Sequence, residues 1–497
     1  MTATLMNPTD LRGVRDAVLD SAGTLAVAGA GTAAGWAGAL RDVDAVLDLR
    51  ALSGVIVHNP GDMTVSVRAG TPLRELNAEL AGHGQHVAFD AARVADGATV
   101  GGLVATADAG PGALVYGSLR DLVIGTTLVL ADGTVARSGG HVIKNVAGYD
   151  LTKLVHGSYG TLAVIAEVVL RLHPQPRATA TVVLPCPLDE AAEHAARILG
   201  GQYEPAALEW VSDPGALLVR VEGTEAALPE RVARVQELLG AGATIAGSTV
   251  AGSTVAGGPV ASPSDERPVR PDLSDESAAR PDPRGADEPD LGVDSGASGA
   301  AADGPVDAGG GGRLSVDEAA RLAFSRREGP GSSRHEAAGR PTRSPDERPA
   351  RPDLSDESAA RPSADGPGPP GGDPWAGHAR LTRATLDDAV LRIGLRPSRL
   401  PVVLAALPTR SITAGLGTGV ATVTLPADPA VVAAAQAAVH AAGGTSVLRS
   451  RPPGFDGAAW GPPPSAVAVL RAVKQALDPA GRLGPGRLAP WLTEGAP

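Results

Sequence analysis

The sequence predicts an α+β protein. A glycine-punctuated domain over residues 1–177 precedes a smaller antiparallel-sheet domain, which a long disordered insert divides into residues 178–246 and 374–497. Three observations carry this reading. Residues 1–177 hold short alternating Val, Leu and Ala runs broken by Gly, the period-two mark of half-buried strands. Residues 247–373 shift to Pro, Gly, Ser, Asp, Glu and Arg with almost no aromatics, and such a stretch cannot bury enough apolar surface to offset chain entropy. On both sides of it the pattern of packed strands and helices resumes.

The second domain reads element by element. TATVVLPC (179–186) is a strand, LDEAAEHAARILG (188–200) a helix with apolar positions at helical spacing, AALEWVS (206–212) and ALLVRVEG (216–223) two strands, and EAALPERVARVQELLG (225–240) a helix. After the insert come DDAVLRIGLRP (387–397), GVATVTLP (419–426) and the helix PAVVAAAQAAVHAAG (429–443). This order suits an antiparallel sheet with helices on one face, interrupted at a loop. Within the insert, DERPVRPDLSDESAARP (265–281) recurs at 346–362 with one change, Val269 to Ala350, and GSTVAGSTVAGG (247–258) is a shorter repeat. Such copies indicate replication slippage, since a solenoid needs units that stack. VDEAARLAFSRR (316–327) is a short nascent helix.

Composition excludes several functions. The formal charge of −12 with no basic face disfavours nucleic acid. A single cysteine, Cys186, cannot build a disulfide framework, an iron–sulfur cluster or a cysteine zinc site. The N-terminus lacks the basic start and apolar run of a signal peptide, and no apolar stretch reaches transmembrane length. The expected location is the cytoplasm, or the membrane periphery through partners.

The chain has only three lysines, Lys144, Lys153 and Lys474. Where arginine replaces lysine almost everywhere, a retained lysine marks a position that suits an ammonium, although chance retention stays open. The glycine-rich stretch LAVAGAGTAAGWAG (25–38) follows a strand pattern, and its glycines allow backbone amides to approach a diphosphate. Gly29, Gly31 and Ala34 also approximate a dinucleotide fingerprint, with Asp48 near the place of a ribose-binding acid. The loop alone does not separate these readings.

The following segments do. SGVIVHNPGDMTVSVRAGTPLRELNAELAGHGQHVAFD (53–90) holds a Pro60-Gly61-Asp62 turn, a strand, a helix begun by Pro72, and Gly84-Gln85 at its end. GATVGGLVATADAGPGALVYGSLRDLVIGTTLVLADGTVARSGG (97–140), KNVAGYDLTKLVHGSYGTLAVIAEVVLRLHP (144–174) and LRAVKQALDPAGRLGPGRLAPWL (470–492) follow in order. Together these resemble the PCMH-type, two-subdomain FAD-binding domain of the vanillyl-alcohol oxidase family, over residues 1–246 and 374–497. ADG (131–133) reads as a hairpin turn without a ligand role. Ala163, Ala166 and Ala107 stand where relatives carry Gly, Thr and Asn, and Gly484 where they carry Asn.

The resemblance implies non-covalent FAD, since the first loop has no histidine to link it. It assigns cofactor contacts to Gly29, Ala30, Gly31, Thr32, Ala33, Thr99, Val100, Gly101, Gly102, Thr106, Gly110, Tyr116, Gly117, Asp121, Gly160 and Ile165, with Gly157 and Ser158 alongside. Arg120, Asp121, Lys144 and Tyr149 are implied to shape the flavin loops. Within the family the chain is most similar to the FAD-binding subunits of bacterial glycolate oxidases. Oxidation of a small 2-hydroxy acid, glycolate to glyoxylate, is then expected in a complex with a larger flavin subunit carrying metal-site histidines and an iron–sulfur subunit. The metal-site histidine motif of self-sufficient 2-hydroxy-acid dehydrogenases is absent from this sequence. His194, His378 and His440 read as ordinary helix or loop residues, and His141 and His156 as structural. No metal ligand and no catalytic base is nominated. A free-standing FAD-dependent alcohol or 2-hydroxy-acid oxidoreductase and a flavin-free structural subunit are the alternatives.

Overall fold

A computed structural model describes residues 3–142, 150–250, 373–383 and 387–492. The duplicated segments 265–281 and 346–362, residues 251–258 of the shorter repeat, the helix expected at 316–327, Lys144 and Tyr149 lie outside the described residues. The first domain contains two subdomains. Strands β1 (Thr4–Met6), β2 (Leu25–Ala28) and β3 (Ala45–Asp48) form a parallel sheet in the order β1-β3-β2. Helix α1 (Leu11–Asp20) covers it, begun by Asp10, whose side chain accepts from Gly13 N. The next sheet has the order β4-β5-β9-β7-β8 and is antiparallel: β4 (Val55–Asn59), β5 (Thr64–Arg68), β7 (Val123–Val129), β8 (Val135–Gly139) and β9 (Val164–Arg171). Strands β6 (Gln85–His86) and β10 (His173–Pro174) pair as a small ribbon. An all-parallel dinucleotide fold would not turn antiparallel at its fourth strand. Asp48 is also occupied, since its carboxylate holds the Arg50 side chain and backbone.

The three-stranded sheet packs on one face of the five-stranded sheet. On the other face pack the short helices α2 (Leu73–Ala81), α3 (Val100–Ala105), α5 (Leu119–Leu122) and α6 (Leu151–Val155), with α4 (Ala113–Tyr116) between α3 and α5 in the chain. Their apolar faces join one core, in which Leu73, Leu76, Leu80, Leu103, Leu119 and Leu122 are fully buried. The ADG segment makes the β7–β8 hairpin, where Gly133 has φ +80° and Asp132 accepts from Thr134 N at 2.8 Å.

The second domain is one eight-stranded antiparallel sheet, in the order β14-β11-β13-β12-β16-β17-β15-β18. It contains β11 (Ala178–Pro185), β12 (Ala207–Val211), β13 (Ala216–Gly223) and β14 (Thr244–Val250), with helices α7 (Leu188–Gly200) and α8 (Leu228–Leu239). After α9 (Pro374–Leu381) come β15 (Asp388–Gly394), α10 (Leu400–Ala405), β16 (Ser411–Gly415), β17 (Val420–Pro426), α11 (Pro429–Ala441) and β18 (Thr445–Ser450). The element order is β-α-β-β-α-β written twice, and the strand orders 14-11-13-12 and 16-17-15-18 mirror each other across the β12–β16 seam. The insert therefore interrupts the chain between the two repeats. Strand β14 runs to Val250, so the sheet takes in the first residues of the segment expected to be disordered.

Alternation along the strands divides the sheet into two unlike faces. Leu208, Trp210, Leu217, Val219, Leu391, Ile393 and Val423 face α7, α8, α10 and α11 and form the apolar core. The opposite face carries Glu209, Val390, Thr413, Thr422 and Arg449, and these line a chamber against the first domain. Not all helices lie on one face, as α9 packs its Trp375 and Leu381 with Val211 and Leu218 on the other. The last helix, α12 (Val467–Leu477), leads into the C-terminal segment. That segment returns to the first domain, where Leu25 N donates to Arg482 O and Gly484 N to Leu25 O.

Candidate functional site

A cavity of about 560 Å³ opens against the loop that follows β2. Four parts of the chain wall it: the loop from Gly29 to Gly35, α3 with its preceding Thr99, the turn from Tyr159 to Ile165, and Arg451–Phe455 with Arg487. The volume lies within the range of small-molecule and cofactor sites. Strand β2 ends at Ala28, and the chain then turns with Gly31 at φ +76°, a left-handed conformation that a side chain disfavours. Among the described residues, no backbone or side-chain acceptor meets the main-chain N–H groups of Gly29, Ala30, Gly31, Thr32 or Ala33. The first amides of this loop with acceptors are those of Ala34, to Gly31 O, and Trp36, to Ala33 O. Five consecutive unengaged amides beside a cavity form an anion-binding nest, which suits a diphosphate. Gly29 also lies hard against Thr99, because a Cβ there would stand 2.4 Å from Thr99 Oγ1.

The remaining walls are fixed by hydrogen bonds. Thr99 begins α3 and its hydroxyl accepts from Gly102 N, while Val100 N and Gly101 N bind Thr71 O and Ala69 O at 2.9 and 2.8 Å. Arg487 Nη1 donates to Ala34 O, Trp36 O and Gly38 O at 2.9, 2.7 and 3.2 Å, so the C-terminal arginine sets the curvature of the first loop. Burial, with Arg451 nearby, lowers the Arg487 guanidinium to about 10. Lys474 is half-buried and donates to Thr161 O at 2.7 Å, Leu483 O at 3.0 Å and the Asp478 carboxylate, which joins α12 to the cavity turn.

The structure brings eleven of the sixteen expected cofactor residues to the cavity wall: Gly29, Ala30, Gly31, Thr32, Ala33, Thr99, Gly101, Gly102, Thr106, Gly160 and Ile165. Five stand elsewhere. Val100 points into the apolar core. Gly110 lines the chamber below the second sheet. Tyr116 turns its hydroxyl to Glu222 at 2.5 Å and its ring edge to His86 and His173. Gly117 makes a turn at φ +80°, and Asp121 closes a capping box with Ser118. The last two, Gly117 and Asp121, serve turn and helix-start geometry, which favours the same residue types as a ligand loop. Lys153 makes a half-exposed ion pair with Asp150 at 2.9 Å, away from the cavity. Ala163 and Ala166 are buried in the cores around the five-stranded sheet, and Ala107 takes φ +47°.

A second chamber of about 260 Å³ shares Gly31, Thr32, Ala34, Gly35 and Arg93 with the first. Sequence reasoning did not find its residues. Asp108, 2% exposed, accepts from Arg93 Nε at 3.0 Å and Arg449 Nη2 at 2.7 Å, and these arginines hold its carboxyl below the usual range. The two guanidinium groups sandwich Trp36 at 4.0 and 3.9 Å from its ring. Glu209 and His378, both buried, stand 3.4 Å apart on another side of the chamber. Burial raises the Glu209 carboxyl, and His378 opposes that shift. A carboxylate within AALEWVS, every residue of whose strand is buried, was the available signal. Among the described residues no group of three or more His, Cys, Asp or Glu is placed to hold a metal, and no helix is long and apolar enough to cross a membrane.

Comparison with known proteins agrees with the cavity. Residues 5–139 match the FAD binding domain family, and residues 461–488 match the C-terminal domain of FAD linked oxidases. The chain is 37% identical over 195 residues to the glycolate oxidase subunit GlcE of Escherichia coli (strain K12), a stretch covering 39% of this chain and 54% of the relative. It is 36% identical over 192 residues to a D-lactate dehydrogenase of Archaeoglobus fulgidus, covering 35% and 42%. The chain thus spans about half the length of these curated relatives. An alkyldihydroxyacetonephosphate synthase structure superposes over 97% of this chain and 75% of its own with a TM-score of 0.52 at 12% identity, a likeness of fold alone. Matched at both ends of its described residues and built around a nest of loop amides, the chain carries an FAD binding domain and is similar to FAD linked oxidases, with FAD as its cofactor.

Proposed function

We propose that this chain is an FAD-dependent oxidoreductase acting in the oxidation of a small 2-hydroxy acid such as glycolate. In this reading it is one subunit of a complex, beside a larger flavin subunit with a metal site and an iron–sulfur subunit. The reading draws on the likeness to a glycolate oxidase subunit and a D-lactate dehydrogenase. The observation that carries it is the run of unengaged amides from Gly29 to Ala33 along the 560 Å³ cavity. In this assignment the five amides bind the diphosphate and Thr99, Gly101, Gly102, Thr106, Gly160 and Ile165 line the rest of the cofactor. Bound FAD supplies a two-electron acceptor for the substrate C–H bond. The protein's part is to hold that acceptor against the second domain and to exclude water from the contact. A self-sufficient oxidoreductase is the second reading, favoured by the buried Glu209–His378 pair, which gives this chain a proton-accepting group of its own.

The test is the absorbance spectrum of the purified chain, followed by anaerobic addition of glycolate or D-lactate. Flavin bands near ~370 and ~450 nm are expected. Bleaching by substrate in the isolated chain supports the self-sufficient reading, and bleaching only after the partner subunits are added supports the subunit reading. A colourless protein that FAD cannot reconstitute refutes both.

A further inference from the structure

The turn that walls the first cavity holds a residue at odds with its backbone. Gly157, Tyr159 and Gly160 all take left-handed φ, at +77°, +54° and +72°. Glycine adopts that conformation readily, whereas a bulky residue there is an outlier that the surrounding structure must hold in place. One hydrogen bond and one ring contact hold Tyr159. Its N–H donates to Ala105 O at 2.8 Å, and its ring stands edge-on to Trp460, with 5.4 Å between centroids. Trp460 is itself fixed, since its Nε1 donates to Arg487 O at 2.9 Å. Conformation alone favours a third glycine at 159, so what the tyrosine adds is its side chain.

Seven polar side chains line the cavity. Six of them hold protein partners. Thr32 accepts from Arg93, which also binds Asp108, Thr99 starts α3, and Thr106 donates to Gly102 O. Arg451 donates to Ala37 O, and Arg487 holds the loop carbonyls. The seventh, Tyr159, has no hydrogen-bond partner for its hydroxyl among the described residues. The residue is half-buried through the cavity surface that it lines. Burial raises the hydroxyl's pKa against the opposing pull of Arg449 and Arg392, so the group stays protonated and able to donate. Those two arginines stand on β18 and β15, which places the hydroxyl where the cavity meets the second domain. A donor left without a partner in such a place takes its acceptor from the occupant of the cavity.

We propose that Tyr159 is a cofactor-contact residue whose hydroxyl donates to a carbonyl oxygen or ring nitrogen of the flavin. The flavin ring is the part of FAD that exchanges electrons, so it belongs at the junction with the second domain, where this hydroxyl stands. The reduced ring carries more negative charge than the oxidised ring, and a hydrogen bond to a charged acceptor is stronger than one to a neutral acceptor. Tyr159 therefore favours the reduced flavin and raises the potential at which the bound cofactor takes up two electrons.

The test is Tyr159→Phe in the full chain. Three quantities are compared with the unaltered protein: the dissociation constant of FAD, the two-electron midpoint potential of the bound flavin, and urea unfolding of the cofactor-free protein. Phenylalanine keeps the ring against Trp460 and loses only a hydroxyl that no described residue binds. FAD affinity is expected to fall roughly three- to tenfold, the worth of one hydrogen bond between neutral groups. The reduced form should lose about tenfold more than the oxidised form, a drop of about 30 mV in midpoint potential for two electrons. The urea midpoint of the cofactor-free protein should not move. Unchanged affinity and potential would overturn the proposal. So would weaker binding at an unchanged potential, which would put the hydroxyl on another part of the cofactor. A cofactor-free variant destabilised as much as its affinity falls would make the role structural and overturn the proposal as well. A yellow protein indifferent to Tyr159→Phe refutes this inference alone, whereas an unaltered chain that takes up no FAD refutes the cofactor assignment with it.

Discussion

Gly29→Ala tests how the cofactor loop is held. An ideal Cβ at residue 29 stands 2.4 Å from Thr99 Oγ1, about an ångström inside ordinary carbon–oxygen contact. Thr99 cannot swing aside freely, because its hydroxyl accepts from Gly102 N and starts α3. The added methyl must displace the loop or break the cap. Loss of the cap costs about 1 kcal/mol, and forced overpacking costs about 1–3 kcal/mol. Gly29→Ala is therefore expected to lower the unfolding free energy of the cofactor-free protein by about 1–3 kcal/mol. FAD affinity should fall further. Displacing one or two amides from a phosphate forfeits charge-assisted bonds of about 1.5–3 kcal/mol each, on the order of 100-fold in the dissociation constant. Thr99→Ala removes the clashing oxygen and by itself costs only the cap. In the double variant the new Cβ faces Thr99 Cβ at 3.5 Å, ordinary contact, so the double change should cost little more than Thr99→Ala alone. Urea unfolding gives the stability terms, and quenching of flavin fluorescence on titration gives the affinity. Additive effects of the two substitutions would refute the geometry, because the coupling is the prediction.

Lys474→Met leaves Asp478, fully buried, without its ammonium and should destabilise by about 3–5 kcal/mol in urea unfolding; Lys474→Arg should not rescue, since a planar fork does not fit three convergent acceptors. Partial desolvation, with Arg120 and Arg392 nearby, lowers the half-buried His156 to about 4, so the unfolded chain binds the extra proton between that value and the usual 6.5. Its contribution is complete above pH 6.5 and is lost as the pH falls towards 4; His156→Gln should flatten the drop in urea midpoint between pH 7 and pH 5. Ala107 takes φ +47°, a conformation that Asn tolerates better, so Ala107→Asn should raise stability by about 0.5–1 kcal/mol, read as a higher melting temperature.

The parts of the fold that were legible in the sequence are those whose local chemistry has one reading. Asp132-Gly133 could only be a hairpin, and the strands 179–186 and 216–223 are short apolar runs bounded by Gly or Pro. The second repeat was harder to see. LPVVLA forms a helix too short to show a period, SITAG ends in glycine, and TSVLRS carries a charge. That charge is Arg449, which looks like surface polarity in a strand but faces a buried chamber. Glu209 and His378 were invisible as a pair because the insert separates them in sequence and α9 brings them together. The lysines separate in the same way. Lys474 sits in a cage of carbonyls that fits an ammonium, while Lys153 makes a surface pair that arginine could also make. Both departures from asparagine fall at left-handed residues, Gly484 at φ +56° and Ala107 at φ +47°, so glycine replaces asparagine there without strain and alanine does not.

The family match divides into two segments, 5–139 and 461–488, but the cavity does not divide. Arg487 holds the loop carbonyls of Ala34, Trp36 and Gly38, and Arg482 binds Gly23 O and Ala131 O. The C-terminal segment thereby closes the first sheet from below, and Leu483 joins its core. Arg487 binds three of the carbonyls at the far end of the nest, beside Arg451, which donates to Ala37 O at 2.8 Å, so the loop's curvature leans on these bonds. A chain ending before α12 would keep the whole of the FAD binding domain match and still lack Arg487, which binds the loop carbonyls. Such a truncation should lose FAD binding even where its far-ultraviolet circular dichroism shows the sheets intact. Retention of flavin by that truncated chain would mean that the nest is shaped by β2 and α3 alone.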